Sequence, residues 1–313
     1  MSDTQGQGFV RYLSSKKSLD DRALNNHVRG TLAAALPKSS PQVPLQVLEL
    51  GAGIGTMIER LVDWKLLAFA DYTAVDSDAA CAGEFRRRMA RWAGAKGFEF
   101  SRRPENAALI RTQEGEISLT FEQADVYDFL SVENSRGREW DLGIAHAFMD
   151  VVDISAVLPG FCSLIRPGGL LYLTLNYDGE TIFLPEFNRA FENRIMQLYN
   201  RSMDDRITGG RKTGGFQTGR NLFGHLKALN AAILAAGASD WIVLPGPQGY
   251  SQDESCFLHF ILDTICNELK GRPGLDQNKF ESWVQMRHDQ VVNAELIFIA
   301  KNLDLLVRVS DSP

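Results

Sequence analysis

The sequence is short of the features that mark several classes of protein. Its four cysteines, Cys81, Cys162, Cys256 and Cys266, are scattered with no CxxC pair, and its five histidines form neither HxxxH nor HExxH. That pattern excludes a disulfide framework and the usual zinc sites. It fits reduced thiols, so a cytoplasmic protein without a bound metal is expected. No stretch reaches the roughly 18–20 apolar residues of a membrane span, and the opening MSDTQGQGF has no apolar signal core, so no membrane partner is expected. A basic excess is also missing. The net charge of −6 speaks against nucleic acid as a partner, and Arg86-Arg87-Arg88 reads as one solvated helix face.

What the chain does have is a core. It has 313 residues, of which 44% are hydrophobic and 23% charged, enough for one large α/β unit with insertions. Residues 18–36 read as a helix, with Leu24, Val28 and Leu32 at i+4 spacing and Ser18 as its cap. After the Pro/Ser connector 37–44, seven short apolar runs alternate with helical segments: 45–50, 71–76, 117–121, 141–147, 170–175, 241–244 and 295–300. Runs apolar on both faces imply a doubly wound, mostly parallel seven-stranded sheet. Residues 94–116 read as a hairpin or loop, and a helix is expected near 221–236. The expected core is 45–177, 218–246 and 295–309. Residues 1–44, 178–217 and 247–294 are expected to cap the carboxyl ends of the strands, where such sheets bind ligands.

The most informative stretch is VLELGAGIGTMIERL (47–61), a buried strand, a glycine turn and a helix. Gly51, Gly53 and Gly55 allow a sharp turn and close approach of a ligand to the backbone, and the helix start offers unpaired N–H groups. A dinucleotide fingerprint, GxGxxG, would place its third glycine where Thr56 stands. GxGxG preceded by the in-strand acid Glu49 instead resembles the first motif of class I, Rossmann-like S-adenosylmethionine-dependent methyltransferases. Further features follow in that family's order: Asp76-Ser77 ending the second strand, Asp125-Val126 after the third, WDLGIAHAF as the fourth, and LIRPGG turning into LLYLTL as the fifth.

The resemblance implies S-adenosyl-L-methionine as cofactor, with S-adenosyl-L-homocysteine as its product. It also implies a site formed by Glu49, Gly51, Ala52, Gly53, Gly55, Thr56, Asp76, Ser77, Asp125, Val126, Ala145 and His146. Asp76 would take the ribose hydroxyls, since a carboxylate accepts two hydrogen bonds at once. Asp125 would receive the adenine amino group, and the Val126 N–H would meet the ring. Lys17 or Arg22, on an N-terminal element closing over the site, would meet the cofactor's carboxylate; a solvated helix face is the other reading.

The implied chemistry is in-line methyl transfer to oxygen or nitrogen of a small molecule. His146, whose unperturbed pKa lies near neutrality, and Asp150 are the candidate catalytic groups. Asn176, Tyr177 and Glu180 after the fifth strand are candidate acceptor contacts. The Asn/Asp-Pro-Pro-aromatic signature of nucleic-acid amino-methyltransferases is absent, with His-Ala-Phe-Met (146–149) in its place. The motif describes a cofactor pocket, so aminocarboxypropyl transfer, cyclisation and non-catalytic binding stay open as alternatives.

The segment TGGRKTGGFQTGR (208–220) has the look of a phosphate loop, but Arg211 stands where GxxxxGK[ST] needs lysine, and a helix precedes it. It reads either as a mobile lid, with Arg211, Lys212 or Arg220 meeting an anionic group on the acceptor, or as a flexible loop.

Overall fold

The computed structural model describes residues 3–104 and 106–310. It opens with α1 (Asp3–Ser15), α2 (Lys17–Ala23) and α3 (Asn26–Ala35). The single helix expected over 18–36 is therefore broken, and Ser18 lies inside α2 instead of capping it. The break falls where Asn25 turns extended and its side chain accepts the backbone N–H groups of His27 and Val28, starting α3.

Alternation follows through β1 (Leu45–Leu50), α4 (Thr56–Asp63), β2 (Ala70–Asp76), α5 (Ala79–Ala95), the hairpin β3 (Glu99–Arg102) and β4 (Ala107–Arg111), β5 (Glu116–Gln123), α6 (Val126–Arg136), β6 (Trp140–His146), α7 (Ile154–Ser163) and β7 (Ile165–Leu184). The chain continues with α8 (Arg189–Asp205), β8 (Ile207–Thr208), β9 (Arg211–Lys212), α9 (Thr218–Ala228), β10 (Ala232–Ala238), β11 (Trp241–Val243), α10 (Gln252–Leu269), α11 (Gln277–Val292) and β12 (Ile297–Arg308).

Ten strands of the described residues form one sheet in the order β10-β12-β7-β6-β1-β2-β5-β4-β3, with β11 also paired to β12. The strands from β5 through β2, β1 and β6 to β7 run parallel, and β12 returns antiparallel beside β7. Helices cover both faces, as the apolar runs require; β6, for example, is buried at every position. Beyond the seven expected strands stand the β3–β4 hairpin and β10. The expected helix over 221–236 stops at Ala228, because Asn230 adopts a left-handed conformation (φ +53°). The alanine-rich segment that follows then pairs along the second half of β12, Leu303–Arg308, a tertiary partner overriding helical preference.

Strand order reverses at β1, whose neighbours are β2 and β6, so a crevice opens at the carboxyl ends of these strands. Two apolar clusters pack on the two faces of the sheet. A third joins α2, α8, α10 and α11 to a forward extension of β7 and β12, where Thr181–Leu184 pairs with Ile297–Ala300. The fifth strand, expected over 170–175, therefore runs on through residues 176–183. Their alternation of Tyr177, Thr181 and Phe183 serves a sheet that continues past the core.

Candidate active site

The glycine turn lies at the mouth of the crevice. Gly51 has φ +70°, and a Cβ there would run into the Phe148 ring, so a side chain is excluded by conformation and by space. Gly55 (φ +84°) leads into α4 with no side-chain cap, leaving the first-turn N–H groups open. Asp76 fixes the turn by accepting the Gly53 N–H on Oδ2 (2.8 Å) and the Asp78 N–H on Oδ1 (2.9 Å). Each oxygen retains a lone pair for a ligand.

Two cavities meet along this turn, sharing Gly51, Asp76, Ser77, Phe148, Val151 and Arg206. The first is a recess bounded by Asp125, Val126 and Tyr127 and roofed by the β8–β9 hairpin. Asp125 caps α6 by accepting the Tyr127 N–H (2.9 Å) on one oxygen. The Arg211 guanidinium lies 4.3 Å from the centroid of the Tyr127 ring. The glycine-rich segment therefore covers this recess, and Arg211 and Lys212 belong to it.

The second cavity, of about 460 Å³, is a chamber between the glycine turn and the cap. Glu49, Ala52, Gly53, Thr56 and His146 form its floor. Tyr12 of α1, Tyr177 of β7, Tyr199 and Met203 of α8, Trp241 of β11 and Phe260 of α10 form its walls. Glu49 is 2% exposed and accepts the Tyr72 hydroxyl at 2.7 Å. Burial, opposed by that hydrogen bond, pushes its pKa up to about 8. Asp150 also lines the chamber; burial shifts its pKa upward from the ordinary value, and its Oδ1 is buried without a hydrogen-bond partner.

His146 is locked. Its Nδ1 is 2.8 Å from Thr174 Oγ1, and its Nε2 is 3.1 Å from both Arg60 Nη1 and Asp20 Oδ2. Arg60 can only donate and the carboxylate can only accept, so the two neighbours of Nε2 favour opposite tautomers, but in either one both nitrogens are engaged. Burial, followed by the Arg60 charge, drives its pKa down to about 4, leaving a neutral ring. Asp20 also takes Lys16 Nζ (2.9 Å) on Oδ2 and Trp241 Nε1 (2.9 Å) on Oδ1. Burial alone would raise the Asp20 pKa, but Lys16, His146 and Arg60 outweigh it and hold this carboxyl well below its usual range.

Several expected residues lie elsewhere. Lys17 pairs with Asp21 (2.7 Å) and does not line the chamber, and Lys16, one position earlier, reaches it instead. Arg22 pairs with Glu254 (2.8 Å), tying α2 to α10. Arg220 is committed to Asp178 through Nε (2.8 Å) and Nη2 (2.9 Å), and Glu180 to Lys301. Asn176 is wholly buried and donates to the Leu303 carbonyl (2.9 Å). Ala145 is a buried strand residue, and Gly55 makes room for Phe85, whose ring would stand 2.8 Å from an added Cβ. Lys16, Asp20, Arg60, Tyr199 and Trp241 lie outside the site expected from the sequence. In sequence, the local signals of this network are two i,i+4 pairs, Lys16–Asp20 and, on the motif's helix, Thr56–Arg60.

No family model matches the chain, and no curated protein matches it. Among solved structures, a candidate methyltransferase from Bacillus halodurans is 10% identical, with 92% of this chain and 100% of that one covered and a TM-score of 0.49. A SAM-dependent methyltransferase from Geobacter sulfurreducens, in complex with S-adenosyl-L-homocysteine, is 12% identical over 91% of this chain and 92% of that one, with a TM-score of 0.44. One from Thiobacillus denitrificans with the same ligand is 12% identical over 90% and 92%, with a TM-score of 0.42. Likenesses of this size concern the course of the chain and not its chemistry. The sheet reversal at β1, the glycine turn at that point and the antiparallel last strand define a Rossmann-like, doubly wound α/β fold.

Proposed function

We propose that the protein is an S-adenosylmethionine-dependent methyltransferase acting on a small molecule held in the capped chamber. The observation that carries this reading is the continuity of the two cavities along Gly51 and Asp76. The ligand that fits has an amino-acid end, a sugar with vicinal hydroxyls and a flat base. In this reading Asp76 takes the sugar hydroxyls on its remaining lone pairs, while Asp125 and the Val126 N–H take the base in the recess under Arg211. Glu49, Gly51–Gly53 and Thr56 surround the amino-acid end, with Lys16 as the nearby cation in place of Lys17 or Arg22. When bound, the cofactor supplies an electrophilic methyl on a sulfonium.

The chain's own residues then have limited work to do: exclude water, orient the acceptor and, where needed, receive its proton. His146 is poorly suited to that last task because its nitrogens are engaged; we assign it a positioning role. The size of the chamber and its closure by α1, α8 and α10 support a small acceptor over a polymer surface. The test is incubation with S-adenosyl-L-methionine and a panel of small amines, phenols and acids, followed by mass spectrometry. Acceptors gaining one methyl with equimolar S-adenosyl-L-homocysteine support the reading. Formation of methylthioadenosine alone points to aminocarboxypropyl transfer and sinks it.

A further inference from the structure

The chamber also carries information about its occupant. Asp150 follows β6 and lines the cavity with one carboxylate oxygen, Oδ1, shut off from solvent and accepting no hydrogen bond from the protein. An acceptor in that condition carries a desolvation cost that a ligand donor would remove. The cationic side chains lining the chamber do not meet this need. Lys16 is spent on Asp20 at 2.9 Å, and Arg206 faces Glu268 at 3.7 Å. With Glu49 set aside, since burial favours its neutral form, the carboxylates lining the cavity, Asp76, Asp78 and Asp150, still outnumber those two cations.

The walls are aromatic. The Tyr12 and Phe260 rings stack with centroids 4.0 Å apart and planes 17° apart, and Trp241, Tyr199 and Phe298 complete the enclosure. Such faces attract both a flat ring and a cationic group, through stacking and through the ring quadrupole. The basic side chains that suggested an anionic acceptor, Arg211, Lys212 and Arg220, do not line this chamber.

Resting on the methyltransferase reading, we propose that the acceptor is an arylalkylamine, an aliphatic amine carried on one ring or two fused rings, bound with its nitrogen donating an N–H to Asp150 Oδ1. An ammonium must shed a proton before its nitrogen can act as a nucleophile. In the step assigned to Asp150, the N–H bond breaks, the proton passes to Oδ1, and the electron pair stays on nitrogen. The raised pKa of Asp150 suits it to receive that proton.

The test is binding, read by calorimetry and thermal shift without turnover. The probes are tryptamine, indole and indole-3-acetate, which share one ring system and differ in charge, each with and without S-adenosyl-L-homocysteine. Tryptamine should bind at least about tenfold tighter than indole-3-acetate, and Asp150→Asn should abolish that preference while leaving S-adenosyl-L-homocysteine affinity within about twofold. Because the asparagine variant removes a desolvated charge, it should fold; its melting curve checks this, and the wild-type ranking stands without it. Equal or tighter binding of indole-3-acetate overturns the proposal, as does a preference that survives Asp150→Asn or the failure of all three probes to bind. Loss of S-adenosyl-L-homocysteine binding by the wild-type protein would overturn the cofactor reading instead, and so separates the two.

Discussion

His146 Nε2 lies 3.1 Å from the Asp20 carboxylate, joining the end of β6 to the second helix of the chain. Through Asp20 the contact extends to Lys16, Arg60 and Trp241, so the floor of the chamber and part of its roof share one buried polar network. Removing one partner from such a network leaves others charged and unpaired, which is more costly than the network is stabilising. Asp20→Ala should lower stability by about 3–5 kcal/mol in urea unfolding. A loss below about 1 kcal/mol would show that the network is not closed in solution.

The buried His146 and Glu49 give opposite pH dependences. The His146 pKa falls from 6.5 to about 4 on folding, so its contribution is complete above the unfolded value and is lost as pH drops from 6.5 towards 4. The Glu49 pKa rises from 4.5 to about 8, so its contribution is complete below 4.5 and is lost as pH rises towards 8. The Glu49→Gln variant should therefore lose less stability than the wild type between pH 5 and about 8, as melting temperatures across that range would reveal. Parallel curves would mean that Glu49 is ionised throughout.

Cofactor binding should report on the same carboxyl. In the proposed pose Glu49 lies near the amino-acid end of a cationic ligand, which favours its ionised form. Binding near pH 7 should then release protons, detected as a dependence of the calorimetric enthalpy on buffer ionisation heat. Glu49→Gln should remove the release.

The glycine-rich segment gives a contrast between neighbours. Arg211 covers the recess of Asp125 and Val126, whereas Arg220 is held by Asp178. Arg211→Ala should weaken S-adenosyl-L-homocysteine binding by about 0.5–2 kcal/mol through loss of its cover over Tyr127. Arg220→Ala should leave that affinity unchanged. The reverse order would place the cofactor elsewhere.

The fold was legible because it is written in period and punctuation: apolar runs, glycine turns, and acids ending strands. The motif placed Glu49, Asp76 and Asp125 around one crevice because each lies at or just past the carboxyl end of a strand. What stayed illegible depended on rotation and partners. Lys16 and Lys17 differ by one position, or about 100° around a helix, which decides whether an ammonium enters the chamber or turns to Asp21 outside it. Residues 232–238 look helical until β12 supplies an edge. The engagement of His146 comes from Asp20, 126 positions away, and no local pattern announces it.

The most direct test of the central claim is calorimetric titration of S-adenosyl-L-methionine and, separately, NAD into the wild type and Asp76→Ala. The account predicts binding of S-adenosyl-L-methionine, none of NAD, and a loss of about 1–3 kcal/mol in the folded variant, whose ligand hydroxyls lack a charged acceptor. Binding of NAD in preference to S-adenosyl-L-methionine, or unchanged affinity in Asp76→Ala, would contradict it.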